Sequence, residues 1–340
     1  MTVILVICIL LFPAAAMAED VEVSALLEEL DAIMEWNPLR ETGVIVAGGD
    51  RIVFKLDFPV MIVDYDEKLD VDPPLRRDGT IWFTSDAVSA MRDALFRCRL
   101  QRKGEGFRVS TIVIDPGHGG EDPGSVDEIA VKGKKTQIRE KDVVLSIAKT
   151  LSEMLSGAYA DKKIVMTRSD DTYVSLEKRA ETANALLKKT SDSILYVSIH
   201  ANRVEKTPSP SGFEIWILPP EEKRNLLDDS GAGKEYSDIL PILNYMMEED
   251  ISVWSQILAD DILRGVEARV GALSPNRGVK KESWSVVRNS KMPAVLLEVG
   301  FLSNEEEAAR LNDPVYLKDL AEGIYNGIRT FISSVEKTGS

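Results

Sequence analysis

The chain predicts an α/β fold in two parts, a small α+β domain followed by a larger domain in which strands alternate with helices. Three observations carry this expectation. Beyond about residue 109, short β-rich runs alternate with amphipathic helical periodicities, the pattern of a twisted parallel or mixed sheet flanked by helices on both faces. Between about residues 19 and 100 the texture is instead that of hairpin-like strands between two helices. Finally, the two histidines of the 340 residues, His118 and His200, both follow strand-like runs, in TIVIDPGHGG and ILYVSIHAN, and open α/β sheets place their sites beyond the carboxyl ends of strands.

Residues 1–18 read as an export signal. VILVICILLF is too short to span a bilayer as a helix, and AAAMAED offers an Ala-x-Ala site with cleavage after Ala18, although Met1-Thr2-Val3 lacks the usual basic start. Cleavage removes Cys8 and leaves Cys98 alone, so neither an intrachain disulfide nor a Cys-based metal site is expected. No later segment has the apolar length of a membrane span. The expected product is exported, periplasmic in the first instance, with a secreted or wall-associated location as the alternative.

From residue 19 to 100, LLEELDAIMEW has helical spacing at Leu26, Leu27, Leu30, Ile33 and Met34. VIVAGGDRIVFKL reads as two strands joined through Ala47-Gly48-Gly49-Asp50. VMIVDY and TIWFT are further strands, DPPLRRDG is turn material, and AVSAMRDALF closes as a helix. Residues 101–108 are polar and glycine-bearing, a linker.

The second domain, 109–335, opens with the strand TIVID. EKDVVLSIAKTLSEML aligns Val143, Val144, Ile147, Leu151 and Leu155 on one helical face. KIVMTR is a strand, and SLEKRAETANALLKK is a helix with Leu176, Ala180, Ala183 and Leu187 aligned. ILYVSIH and GFEIWIL are strands; after an acidic stretch comes the helix DISVWSQILADDILRGVEARV, then WSVVR and AVLLEVGF as strands and a closing helix. The charge, 41 Lys+Arg against 56 Asp+Glu for a net −15, is shared about equally by the two halves. Neither half has the basic excess of a nucleic-acid binder.

Neutral imidazole is the commonest protein ligand for zinc, so two histidines at strand ends ask for a third ligand and a reactive group. Glu140 stands in the first turn of the helix after the His118 loop, and Glu298 ends the strand AVLLE. Two imidazoles and one carboxylate leave a fourth zinc position open, as in catalytic sites, and a remaining carboxylate can serve as general base. Such a set equally suits a peptidase or a carbohydrate deacetylase. Arg168, Arg179 and Asn202 are candidates for site support or substrate contact. Gly133-Lys134-Lys135-Thr136 is not a phosphate loop, because Glu128 stands where that motif needs glycine.

IDPGHGGEDPGSV, REKDVVLSIAKTL, MTRSDDTYVSLEKRAETAN, SIHAN and MPAVLLEVGFLSNEEEAARL resemble, in order and spacing, the motifs of the zinc-dependent N-acetylmuramoyl-L-alanine amidases of the family-3 type. The resemblance runs from about Thr111 to Phe331. It implies one Zn²⁺ per chain held by His118, Glu140 and His200, with Glu298 as the catalytic base. The implied reaction is hydrolysis of the amide between the lactyl group of N-acetylmuramic acid and L-alanine of peptidoglycan, in wall remodelling or daughter-cell separation. A catalytically silent wall-binding protein is the remaining alternative, disfavoured because every ligand and the base are present.

Cell-division members of that family carry an insertion that covers the active site until a protein activator displaces it. Here residues 219–250 stand at that place. Ile239, Leu240, Leu243, Met246 and Met247 are expected to form an exposed apolar helix face for such a partner, and one carboxylate among Glu221, Glu222, Asp228, Asp229 and Glu235 to fill the open zinc position. The first domain loosely resembles the copper amine oxidase N-terminal-like module through Met34-Glu35-Trp36, Gly48-Gly49 and Asp78-Gly79-Thr80-Ile81-Trp82, which implies a spacer or wall-contacting role. With no histidine in that half, no copper site is expected.

Overall fold

Antiparallel pairing of successive short strands builds the first of two units. The computed structural model describes residues 20–65, 67–102, 108–131, 134–187, 193–205, 209–224, 226–227 and 240–337, so the export signal and residues 103–107 of the expected linker lie outside the described residues. The chain divides into Met1–Cys98 and Arg99–Ser340. The first unit runs β1 (Val21–Glu22), α1 (Val23–Leu30), β2 (Ala32–Asn37), β3 (Thr42–Ala47), β4 (Asp50–Lys55), β5 (Val60–Val63), β6 (Glu67–Asp70), β7 (Leu75–Arg77), β8 (Thr80–Phe83) and α2, which runs Ser85–Arg102. β2 to β6 form an antiparallel meander, and β1, β8 and β7 a second small sheet. Leu26, Ile45, Ile52, Phe54, Met61, Phe83 and Met91 are buried in its core.

Two expectations fail here. The opening helix stops at Leu30, where Asp31 turns left-handed (φ 49°). Ile33 and Met34 belong to β2, in register with Val46 and Ile45; their spacing suited a helix, but hydrogen bonding to β3 decides for a strand. DPPLRRDG is also more than turn, since Leu75–Arg77 pairs with β8 across Asp78 and Gly79, both at positive φ, as a two-residue hairpin requires.

The second unit opens with β9 (Val109–Pro116), a hairpin of β10 (Val126–Val131) and β11 (Lys134–Arg139), then α3 (Glu140–Ala158), β12 (Lys163–Met166) and α4 (Leu176–Asn184). It continues with β13 (Ser193–Asn202), β14 (Phe213–Ile217), α5 (Leu240–Val270), β15 (Asn276–Lys281), α6 (Ser285–Arg288), β16 (Ala294–Phe301), α7 (Glu305–Leu311) and α8 (Pro314–Lys337). Six strands form one mixed sheet in the order β12-β9-β13-β16-β14-β15. The first four are parallel, and β14 enters antiparallel to β16 with β15 parallel to β14. One face carries Ile112, Ile114, Val197, Ile199, Ile215 and Leu297 against apolar residues of α3, α5 and α8. The opposite face carries Val113, Tyr196 and Leu296 against Ala183 of α4 and Val286 and Val287 of α6.

WSVVR is thus not a strand. Trp284 is extended and its carbonyl accepts from the backbone N–H of Val287 and Arg288, starting the single turn of α6. The neighbouring strand is instead NRGVKK, β15. Leu176 leaves the expected apolar stripe of α4 and is exposed.

The insertion also differs from expectation. α5 begins at Leu240 and runs unbroken to Val270, and Leu240 and Leu243 are buried rather than exposed. The chain before α5 occupies its first turns. Arg224 donates from Nη1 to Glu248 Oε1 (2.9 Å), both side chains buried. The backbone N–H groups of Leu226 and Leu227 donate to Asn244 Oδ1, each at 2.8 Å. Ile239, Asp228, Asp229 and Glu235 lie outside the described residues.

Candidate active site

Successive side chains of a strand alternate faces, and this places the site. Asp115, Ser198, His200, Glu214 and Glu298 all lie on the sheet face that carries Val113, Tyr196 and Leu296. His200 of β13 is in register with Glu298 of β16, which is in register with Glu214 of β14. Two residues past β9, His118 adopts φ 58°, and within the second unit it is the one non-glycine among the described residues with positive φ. Such a conformation costs about 1–3 kcal/mol and persists where surroundings enforce it.

Glu140 opens α3, its backbone N–H donating to the Ser125 carbonyl (2.9 Å). Its buried carboxylate reaches back between the two imidazoles, with Oε1 3.1 Å from His118 Nε2 and 2.9 Å from His200 Nδ1. Oε1 also accepts from the Ala201 N–H (3.0 Å) and Oε2 from the Ser125 N–H (2.8 Å). Burial alone would raise its pKa, but the hydrogen bonds and charges of His118 and His200 hold the carboxyl far below the usual range. His118 shows the mirror effect: burial opposes protonation, and Glu140 with Asp122 pushes its pKa up. The imidazole rings meet edge to face at 5.0 Å.

One ligand atom each from His118, Glu140 and His200 falls within 4.8 Å of the others. This donor set, two ring nitrogens and one carboxylate, could hold a metal ion and leave a coordination position open. The outer contacts agree. Asp122 Oδ2 lies 2.8 Å from His118 Nδ1, and such a carboxylate contact fixes ring orientation and leaves the opposite nitrogen, Nε2, available as a donor atom. A Cβ at Gly117 would stand 2.2 Å from the His200 ring, and one at Gly124 2.6 Å from the His118 ring. The backbone therefore closes on both imidazoles. Sequence reasoning passed over Asp122, although its place four residues after His118 was visible.

Glu298 is half-buried overall, yet its Oε2 is buried with no hydrogen-bond partner. Burial first, then the facing charges of Glu140 and Glu214, push its pKa well up. Glu214, also passed over, is buried; it accepts from Asn202 Nδ2 (3.1 Å) and Arg277 Nε (2.8 Å). A lone acid in the apolar run GFEIWIL was the available signal, because buried carboxylates need partners. Asn202 thus contacts Glu214, which faces Glu298 across the β14–β16 ladder.

Arg168 and Arg179 are buried behind the His118 loop, bonded to its backbone. Their geometry is that of loop supports. Glu221 is exposed, and Glu222 accepts from the Ser283 hydroxyl. Neither joins the group that could hold a metal. A second grouping within 4.8 Å, Asp50, Asp64 and Cys98, lies in the first unit and involves Cys98, from which no metal site was expected; Asp64 there accepts from the Arg51 N–H at 2.8 Å.

The family described as N-acetylmuramoyl-L-alanine amidase matches residues 112–330. A "Probable N-acetylmuramoyl-L-alanine amidase AmiB" of Haemophilus influenzae is 34% identical over 251 residues, 67% of this chain and 53% of that protein. A "Probable cell wall amidase LytH" of Staphylococcus aureus is 32% identical over 224 residues, 66% of this chain and 59% of that protein. The chain therefore spans a little over half the length of these relatives. Among solved structures, an N-acetylmuramoyl-L-alanine amidase from Clostridium difficile 630 is 32% identical, covering 67% of this chain and 98% of that one with a TM-score of 0.49. With the match covering well over half of its length, the chain belongs to the N-acetylmuramoyl-L-alanine amidase family.

Proposed function

We propose that the chain hydrolyses the amide bond between N-acetylmuramic acid and L-alanine in peptidoglycan, with zinc held by His118, Glu140 and His200. One observation carries the reading: in a member of this family, three ligand-type side chains converge beside Glu298, in register with His200 and with its Oε2 buried without a hydrogen-bond partner. Zinc at such a site supplies Lewis acidity and makes water acidic enough to react near neutral pH.

The side chains of the chain perform the remaining work. The Glu298 carboxyl, half-buried, with Oε2 free of hydrogen bonds, and raised in proton affinity, is suited to take a proton from the attacking water and deliver it to the departing alanine nitrogen. Glu214, tied to Asn202 and Arg277, keeps a negative charge facing Glu298. Asp122 orients the His118 ring. A wall substrate implies a cell-envelope location, which the relatives' printed names, an amidase of the wall among them, support; the periplasm is the narrower location of this proposal. Among the described residues no helix is long and apolar enough to cross a membrane.

Metal analysis beside a muropeptide digest tests the reading. Wild type should carry about one zinc per chain and release stem peptides beginning with L-alanine, while Glu298→Gln should bind zinc and release none. Cleavage within the peptide, loss of acetyl groups, or full activity of the variant would each refute it.

A further inference from the structure

The loop Pro116–Gly120 is gripped from four sides. Arg168 donates from Nε to the Pro116 carbonyl (3.0 Å) and from Nη2 to the Gly117 carbonyl (2.6 Å). Arg179 donates to the Pro116 carbonyl from Nη1 (2.7 Å) and to the His118 carbonyl from Nη2 (2.6 Å). Lys141 Nζ donates to the Gly120 carbonyl (2.7 Å), and Asp171 Oδ1 accepts from the Gly120 N–H (2.8 Å). Lys141 and Asp171 are themselves joined at 2.7 Å. Each carbonyl from Pro116 to His118, and both backbone groups of Gly120, thus have a side-chain partner. Arg168, Arg179 and Lys141 are buried, whereas Asp171 is half-exposed.

This density of cations is odd beside a site that would hold a dication. Coulomb repulsion from two guanidiniums and an ammonium opposes metal binding, whereas Asp115 and Asp171, paired with them, and Glu140 and Asp122 at the imidazoles favour it. What the cations themselves do there is shown by His118. Its backbone sits at φ 58° between two glycines at 117 and 119, a conformation a free loop would leave. We infer that Arg168, Arg179, Lys141 and Asp171 are positioning residues that hold the His118 loop in its metal-binding shape, so that the cations raise zinc affinity despite their charge. The inference rests on the zinc reading above, and it makes the sign of a charge-removing substitution decisive.

Zinc affinity of the full chain is measured by competition with a chromogenic chelator, with the thermal midpoint of the metal-free form recorded for each variant. Charge alone predicts that Arg168→Met tightens zinc binding. A positioning role predicts weakening by about 10- to 100-fold, the usual effect of losing a supporting contact behind a metal ligand. Unchanged or tighter binding overturns the inference.

Should Arg168→Met unfold without metal, Asp171 decides. Asp171→Ala removes the acceptor of the Gly120 N–H and should weaken zinc several-fold, while Asp171→Asn, which retains an acceptor oxygen, should restore most of the loss. Equal affinity of wild type and Asp171→Ala overturns the inference. A folded wild type that binds no zinc overturns instead the reading on which it rests, so the two failures are distinguishable.

Discussion

Asp115 and Glu298 are two acids on the same sheet face, on β9 and β16 with β13 between them, and they are treated in opposite ways. Asp115 Oδ1 accepts from Arg179 Nη1 (2.7 Å) and Thr167 Oγ1 (2.5 Å), and Oδ2 from Ser198 Oγ (2.7 Å). Burial opposes its charge, yet the Arg179 charge and these hydrogen bonds hold its pKa down. Glu298 has a buried oxygen with no donor and two facing carboxylates, and its pKa goes up. The first acid is spent on architecture through Arg179 and the His118 loop. The second keeps an unsatisfied oxygen, which costs stability and leaves a group able to accept a proton.

The contrast is broken most severely at Glu298. Glu298→Gln should lower turnover by about 10²–10⁴-fold, the usual worth of a general acid-base. It should also stabilise the metal-free chain near neutral pH. The folded pKa of Glu298 lies above its unfolded value, so as pH climbs between the two the unfolded chain gives up its proton first, and stability falls. Glutamine carries no such liability. Thermal midpoints in a chelator between about pH 4.5 and 8 measure this, and a variant no more stable than wild type at the upper end would refute the unsatisfied-carboxylate account.

At Asp115 the sign reverses. Asp115→Asn leaves the Arg179 guanidinium buried without its counter-charge and should cost about 3–5 kcal/mol, the range for breaking a buried pair. Because the folded pKa of Asp115 lies below the unfolded value, its contribution is present above the ordinary carboxyl range and lost as pH falls through the folded pKa. Urea unfolding at neutral and acid pH should show the deficit shrinking in acid. A deficit independent of pH would mean that shape, not charge, holds the pair.

Both acids stand in apolar runs, TIVID and AVLLE, and their type and strand-end position were readable from residue order alone. So were β9, β13, β16 and α3, because each joins strong local periodicity to a candidate site residue at or just beyond its end. What escaped was fixed by pairing at a distance. The β10–β11 hairpin has little hydrophobic pattern in KGKKTQIR and exists through its ladder from Val126↔Arg139 to Val131↔Lys134. β15 is an edge strand whose polar NRGVKK becomes extended by lying along β14. Glu307 gave no local sign that it would accept from Gly212 N, Ser274 Oγ and Phe301 N. These donors adjoin β14, β15 and the end of β16, and nothing near Glu307 in sequence announces them.

The gentlest test of the contrast is Glu214, which faces Glu298 across the β14–β16 ladder. Its charge is one of the causes that raise the pKa of Glu298. Glu214→Gln removes that charge but also the ion pair with Arg277, whose side chain is 35% exposed, so the change in stability should be small. The pH response is more telling. With less repulsion the folded pKa of Glu298 drops toward its unfolded value, and the window over which the metal-free chain loses stability should narrow from its alkaline end. A double-mutant cycle with Glu298→Gln isolates this coupling. Residues in contact within one network typically couple by about 0.5–3 kcal/mol, and a value near the lower end, present at the alkaline end of that window and absent at about pH 4, is expected. Strict additivity at both pH values would show that burial alone sets Glu298 apart from Asp115.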